Sequence, residues 1–501
     1  MSTLGPPSLL KLSVESLLRD KDLVIHVLKD LPKDLFPHLF WEAYNRHCKE
    51  ILKAMVPVWP FTCLPLGGLL CPEIPRLKAV LDGIDVLLSQ NVCPRRCKLR
   101  VLDLQDTHTG KKFWSRWAGA KFDEDSSRME LVTTRCSEHK EPLYLIEVYI
   151  NLEINDSYSD LLSTYLITWA KKRKAVHLCH KKVTIFSKIH KNKNIIIQCI
   201  KPLCVNELNI YGTWSFSALK MYAYLLGMMR NLTRLTLYMN RETGIFSEEQ
   251  GDRKQIITHF ISQFQHLSQL RELYLLSPFI EGHMDMLFRC LNTPLVALSI
   301  LYSTALKSDM IHMFQSPHIT QLKDLCLRGV SLTSFSESLR ALLEKSATTL
   351  QYLDLYLCGL NDSNLEAMLP ALSCCFQLRL LRLHGNQLSM ATLEKLLRCT
   401  AGMSSLGFEV YPVPLESFSS HGTISPVSLH EFCSQFLKIL QDLGHSRTII
   451  LRPNPCPYCV LPVLMFLVQK QVTDFKNQSS PAIWKMYYNS PFTLIHDPKQ
   501  V

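Results

Sequence analysis

LQYLDLYLCGLNDSNLEAMLPALSCCFQLRLLRLHGN, residues 350–386, states one hydrophobic phrase twice. Leu350, Leu353 and Leu355 are spaced L-x-x-L-x-L, and so are Leu378, Leu381 and Leu383, which Asn386 follows. Outward toward the N-terminus the phrase recurs at Leu322, Leu325 and Leu327; at Leu295, Leu298 and Ile300; at Leu270, Leu273 and Leu275; and at Leu232, Leu235 and Leu237, with Asn240 after it. Weaker copies stand at Val205, Leu208 and Ile210 and at Met403, Leu406 and Phe408, and an isolated one at Leu99, Leu102 and Leu104. From Leu270 onward the first positions are 25, 27, 28, 28 and 25 residues apart.

A hydrophobic phrase at this fixed period defines a leucine-rich repeat. The long period leaves room for a helix on each return path, and the triplets Leu339, Leu342, Leu343 and Leu393, Leu396, Leu397 have helical spacing. The expected fold is α/β: a horseshoe with a parallel concave sheet and outer helices. No unit buries its apolar face alone, so neighbouring units supply the core. Two polar stretches interrupt the rhythm. Asn240 to Lys254 reads as a surface loop, and Thr107 to Pro142 as a long excursion between the first copy and the rest.

The bulk properties fit a large globular chain. Its 501 residues are 47% hydrophobic and 20% charged, with a formal net charge of +11. That mild excess allows an acidic partner without implying nucleic acid. The 18 cysteines are scattered, many inside apolar segments such as those of Cys326, Cys358 and Cys374, and the N-terminus has no secretory pattern. Both features point to a reducing compartment without a disulfide framework. The apolar run Val460 to Val468 is far shorter than the roughly 20 residues of a membrane span.

Motifs for chemistry are missing. There is no Walker A loop, dinucleotide fingerprint, H-E-x-x-H or G-x-S-x-G. Structural zinc wants four ligands, usually as two close pairs. Cys456 and Cys459 form one C-x-x-C, and Cys93 with Cys97 lies near the other end of the repeat array. The expectation is therefore no catalytic residue, no cofactor and no metal.

The strand residues that alternate with the leucines face the concave side. They make a candidate client-binding face of Arg234, Thr236, Tyr238, Glu272, Tyr274, Asp324, Arg328, Tyr352, Asp354, Tyr356, Arg382, His384 and Glu409. Its mixed charge and its tyrosines suit a protein better than a nucleic acid. A second feature is basic: Lys171, Lys172, Arg173, Lys174, Lys181, Lys182, Lys188, Lys191 and Lys193, with no acidic residue among them. The KKRK core is a nuclear-import candidate. The plainer alternative is a solvated helix end followed by a strand, HKKVTIF.

Several blocks resemble the PRAME family of leucine-rich-repeat proteins: LPKDLFPHLFWEAYNRH (31–47), LKAMVPVWPFTCLPLG (52–67), LKAVLDGIDVLL (77–88), YPVPLES (411–417) and NPCPYC (454–459). The resemblance runs from about Ser8 to Cys459; the tail beyond it departs from the family ending. It implies a helical N-terminal cap over residues 1–95, a solenoid over 96–455 and a closing segment over 456–501. It also implies a substrate receptor of a cullin-RING ubiquitin ligase, docked through elongin B and C and binding a client protein. Repression of transcription, and proliferation, survival and blocked differentiation in germ-line or early embryonic cells, come with the same resemblance.

The ligase role can be set against residues. Ser8, Leu9, Ser13 and Leu17 resemble an elongin-binding box on a short helix, with Ser13 where cysteine is most common. Leu31, Pro32, Leu35 and Leu39 resemble a cullin-selecting box. The competing reading makes these leucines core residues of the cap. The alternative function is a nuclear co-repressor scaffold acting through protein binding alone. Its L-x-x-L-L motifs at Leu339 and Leu393 use leucines that the repeat helices need for packing. The expected location is the cytoplasm, with the nucleus as the alternative and no membrane partner.

Overall fold

The structure is a computed structural model that describes residues 9–69, 74–90, 95–105, 145–154, 161–186, 200–214, 216–241, 250–276, 282–302, 307–418, 426–444, 448–452 and 466–468. The chain divides into two compact units, Met1–Val205 and Asn206–Val501.

In the first unit, α1 (Leu9–Leu17), α2 (Lys21–Val27), α3 (Leu35–Asn45), α4 (Lys49–Met55) and α5 (Ile74–Ser89) surround an aromatic centre. Asp20 starts α2 by accepting hydrogen bonds from the Asp22 and Leu23 amides at 3.1 and 3.0 Å, which satisfies orphan donors of the first turn. Trp59 is fully buried, with Phe40 and Phe36 edge-on to it at 5.3 and 6.1 Å. Its indole N–H donates to the Cys63 carbonyl at 3.0 Å, as a buried indole requires. Gly83 of α5 lies so close to α4 that a Cβ would meet the Lys53 carbonyl oxygen at 2.7 Å.

The expected cap is not purely helical. Strand β1 (Cys63–Pro65) lies within it and pairs in parallel with β2 (Val101–Asp103). β3 (Ile146–Ile154) follows, then α6 (Leu161–Lys171) and β4 (Val176–Phe186), each strand parallel to the last. The register aligns Leu64, Leu102, Val148 and Leu178, so the repeat begins well before its leucines become regular.

The second unit alternates strand and helix. Its strands are β5 (Glu207–Trp214), β6 (Arg234–Arg241), β7 (Glu272–Leu276), β8 (Ala297–Leu301), β9 (Asp324–Arg328), β10 (Tyr352–Asp354), β11 (Leu380–Arg382), β12 (Phe408–Pro412) and β13 (Thr448–Arg452). Between them lie α7 (Phe216–Met228), α8 (Gln250–Ser262), α9 (Met284–Arg289), α10 (Lys307–Gln315), α11 (Ser336–Ser346), α12 (Asp362–Leu372), α13 (Met390–Cys399) and α14 (Pro426–Asp442). Every neighbouring pair from β5 to β13 is parallel. β14 (Phe466–Val468) runs antiparallel to β13.

The leucine phrase is the core. Leu235, Leu273, Leu298, Leu325, Leu353 and Leu381 occupy one register row and are all buried. Each such side chain contributes roughly 1.5–3 kcal/mol relative to exposure. Leu339, Leu342, Leu343, Leu393, Leu396 and Leu397 are buried behind them. Asn386 ties two repeats together. Its Oδ1 accepts from the Cys358 and Leu360 amides at 3.0 Å each, and its Nδ2 donates to the Leu355 and Leu383 carbonyls at 2.8 and 2.7 Å.

Two expectations are corrected. The polar stretch 240–254 is not a loop at its ends: Arg241 closes β6, and Gln250 to Lys254 open α8. The last leucine copy is also in another frame. Leu381 pairs with Glu409, so Leu406, Glu409 and Tyr411 form the repeat phrase, not Met403, Leu406 and Phe408. Glu409 therefore lies on the core side, fully buried, and not on the client face. A tyrosine hydroxyl makes this possible, because Tyr411 donates to the Glu409 carboxylate. The polar stretch 107–142 lies outside the described residues.

Candidate protein-binding sites

Helix α1 (LLKLSVESL) presents two sides. Val14 is buried and Leu17 packs half-buried against the core of the first unit. Leu9 is 82% exposed and Leu12 47%. Ser13 is exposed too, and its hydroxyl donates to the Leu9 carbonyl at 2.9 Å. Leu9 and Leu12 thus forgo the burial available to a core leucine and remain open to a partner. Ser8 lies outside the described residues.

The second box is arranged differently. Leu31 and Leu39 are buried in their own unit, Leu35 packs half-buried on it, and Pro32 alone is exposed. The segment leaves Pro32 and the edge of Leu35 at the surface, with Leu39 buried beneath them.

The basic stretch follows the helix-then-strand reading. α6 ends at Lys171, and β4 begins at Val176. Lys171, Lys172 and Lys174 are exposed. Arg173 is not: its Nη2 donates to Asp85 at 2.6 Å, Nη1 donates to the Trp169 carbonyl at 2.5 Å, and the guanidinium lies 4.5 Å from the Trp169 ring centre. The central arginine of KKRK thus holds α6 to α5. Lys188, Lys191 and Lys193 lie outside the described residues, as do Cys93, Cys456 and Cys459.

On the sheet face that the leucines leave free, the expected client residues of the second unit fall into two groups. In the first, Glu272 gathers its neighbours. Arg234 Nε donates to it at 2.6 Å and the Tyr274 hydroxyl at 3.1 Å. Tyr238 is buried and lies edge-on to Tyr211 at 5.6 Å. Burial pushes both the Tyr238 and Tyr274 hydroxyls above the usual tyrosine range, with Glu272 adding to the shift at Tyr274. They stay neutral hydrogen-bonding groups.

The second group centres on Asp354, which is 5% exposed. Arg328 Nη2 lies 2.6 Å and Arg382 Nη1 3.3 Å from its Oδ2. Burial alone would lower the Arg328 guanidinium; Asp354, together with Cys326 and Tyr302, outweighs it and raises it. Arg452 feels burial first and then Arg382, and is lowered. His384 stacks on Tyr356 at 4.2 Å. Burial, then Arg452, takes it down to about 3, so it is neutral at physiological pH. Tyr352 and Asp324 are register partners at the strand entrances.

Glycines make room for the rings. A Cβ at Gly385 (φ 79°) would meet the Tyr356 ring at 2.9 Å, and one at Gly329 (φ 65°) the Tyr302 ring at 2.5 Å. Tyr211, Tyr302 and Arg452 join this face without having been expected there. The residue after the third position of each phrase forms one column: Tyr211, Tyr238, Leu276, Leu301, Arg328, Tyr356, His384, Pro412 and Arg452, polar or aromatic except at Leu276, Leu301 and Pro412. That column was a sufficient signal for Tyr211, which follows Ile210 of a weak copy. Arg452 is hidden because its phrase, Thr448–Arg452, is not leucine-spaced.

Repeating strand–helix units with a leucine core, an asparagine tie and a polar sheet face define a leucine-rich-repeat protein. The chain belongs to the PRAME family: the PRAME N-terminal domain matches residues 6–114 and the PRAME C-terminal domain residues 146–472. The second match reaches past the NPCPYC block into the tail. PRAME family member 12 of Homo sapiens is 40% identical over 468 residues, covering 92% of this chain and 95% of that protein. PRAME family members 7 and 8 of Homo sapiens are each 39% identical over 465 residues, covering 92% of this chain and 97% of theirs.

Proposed function

We propose that this protein is a non-catalytic adaptor that presents a client protein to a cullin-RING ubiquitin ligase. Helix α1 docks elongin B and C, the Pro32 turn meets a cullin, and the free sheet face of the second unit holds the client. The observation that carries the reading is the outward pair Leu9 and Leu12 on a helix anchored from behind by Val14. Apolar anchors on one face of a helix, presented to a groove, are a recurrent docking mode. The chain then contributes proximity and orientation, not bond chemistry.

On the sheet face, tyrosines and arginines supply the anchors that dominate protein interfaces. Two guanidinium groups share one buried carboxylate, and the charge of a third, Arg452, reaches them; this excess of positive charge favours a client segment that brings its own carboxylate. Proliferation, survival and differentiation control in germ-line or early embryonic cells would follow from which client is removed.

The test is co-purification with elongin B and C, comparing wild type with Leu9→Ser plus Leu12→Ser, circular dichroism confirming that both are folded. Elongins retained by the wild type and lost by the variant support the adaptor. No elongins in either sample would overturn it. Nuclear co-repression is the second reading, favoured by exposed Lys171, Lys172 and Lys174. It expects nuclear accumulation to fall when these three become Ala, with elongin capture unaffected.

A further inference from the structure

Two cysteines of the first unit are placed as a reacting pair. Cys179 is on β4, and Cys204 ends the short turn Pro202–Cys204. The Cys204 thiol donates to the Cys179 sulfur at 3.2 Å. Both are free thiols; Cys179 is buried and Cys204 half-exposed. Cys358 and Cys375, by contrast, donate to backbone carbonyls and face no second sulfur in those bonds.

The surroundings divide the labour between the two sulfurs. Once Cys204 ionises, the Cys179 thiol donates to it, and Lys181 and Lys201 add positive potential. These effects outweigh burial and the Glu147 carboxylate and bring Cys204 down to about 7. Lys181 is held in place over the Tyr149 ring, 4.6 Å from its centre, and Tyr149 donates to Glu147 at 2.5 Å, so the opposing carboxylate is partly engaged. Cys179 is pushed up, through its bond to Cys204 and by burial. Low-pKa, accessible thiols beside a second cysteine are the ones that oxidise reversibly.

We propose that Cys179 and Cys204 form a reversible oxidation site, closed to an intrachain disulfide by a hydroperoxide. The Cys204 thiolate attacks the peroxide oxygen; the O–O bond breaks, hydroxide leaves, and Cys204 becomes a sulfenic acid. The Cys179 sulfur then attacks the Cys204 sulfur, the S–O bond breaks, and the departing hydroxide takes the Cys179 proton. Two thiols and one hydrogen peroxide give one disulfide and two waters. The sulfurs approach by roughly 1 Å to reach bonding distance. A thiol reductant reverses the step. Oxidised, the Pro202–Cys204 turn is covalently tied to β4.

The test uses the reduced full-length protein, hydrogen peroxide at graded dose, alkylation of remaining thiols and mass spectrometry of a non-reduced tryptic digest. The expected product links the peptide containing Cys179 to the one containing Cys204, with loss of two hydrogens, and disappears with dithiothreitol. Cys199 shares the Cys204 peptide, because trypsin does not cut between Lys201 and Pro202, so the experiment is repeated in a Cys199→Ser background. Cys179→Ser should lose the link and let Cys204 proceed to sulfinic acid at the same dose. Both thiols alkylated at doses that oxidise free glutathione, or Cys204 over-oxidised in the intact pair without a link, would overturn the proposal.

Discussion

The Tyr411 hydroxyl donates to the Glu409 carboxylate inside the core, where the preceding repeat has Leu383 and Leu381. Both side chains are fully buried. Burial of an ionisable group is tolerable only with its partner present. Tyr411→Phe should therefore destabilise the protein by about 1–3 kcal/mol, since it removes a donor and little volume. The double change Tyr411→Phe with Glu409→Leu should recover much of that loss. Urea unfolding of the three variants measures it; a Tyr411→Phe protein as stable as wild type would refute the role of the pair.

Asn386 satisfies two amides and two carbonyls across adjacent repeats. Asn386→Ala leaves buried backbone groups of both repeats without a side-chain partner, and each costs about 1–3 kcal/mol. The expected outcome is a drop in the unfolding midpoint larger than that of Tyr411→Phe. Amide hydrogen exchange should quicken at Cys358 and Leu360 before other sites of that repeat.

Leu9 and Leu39 belong to the two candidate boxes but differ in exposure, 82% against 0%. Leu9→Ser should change stability by no more than about 0.5 kcal/mol. Leu39→Ala should cost about 2–5 kcal/mol by leaving a cavity. Thermal melts distinguish them. If elongin capture falls in Leu9→Ser at unchanged melting temperature, the loss is one of contact; a loss in Leu39→Ala alone speaks only of folding.

Two histidines are buried in the sheet. Burial lowers His180 to about 4, and burial followed by Arg452 lowers His384 to about 3. Below the ordinary histidine value of about 6.5 the unfolded chain takes up protons that the folded chain refuses. Stability is thus fully present above that pH and falls as the solution is acidified toward the folded values. The urea midpoint should drop between pH 7 and pH 4.5. His180→Leu should flatten that slope and gain stability most at the acidic end; an unchanged slope in this variant would count against the assignment.

The repeat from Leu232 to Leu383 was legible because every phrase puts an aliphatic residue, nearly always leucine, in the buried row. The pattern breaks where another residue takes that place. His180 occupies the third position on β4 with both ring nitrogens buried and without a hydrogen-bond partner among the described residues. Glu409 and Tyr411 do the same on β12, where a leucine template sets the frame three residues early. β3 was readable in principle, since IEVYINLEI alternates and its burial alternates with it; a leucine template overlooks a row of isoleucine and valine. The column after the third apolar position came through in part, because strand alternation fixes it. Which side of α1 turns outward was not legible. Leu9, Leu12 and Leu17 look equivalent on paper, and only packing against the rest of the unit separates them.

In β3–β4 the partner of Ile150 is His180 and the partner of Asn151 is Lys182, so Lys181 is an extra residue, a bulge. Before it, even-numbered residues of β4 are inside (Val176, Leu178, His180); after it, the odd-numbered Val183 and Ile185 are. The change of parity cancels the extra residue. Deleting Lys181 would therefore straighten the strand and keep all five side chains on the inner side. Deleting Thr184 instead would turn Ile185 outward and Phe186 inward. The pair Lys181–Lys182 thus holds a spare link in the chain, where β4 can be shortened by a single residue without emptying the core, and Lys181 is also the residue whose charge reaches Cys204.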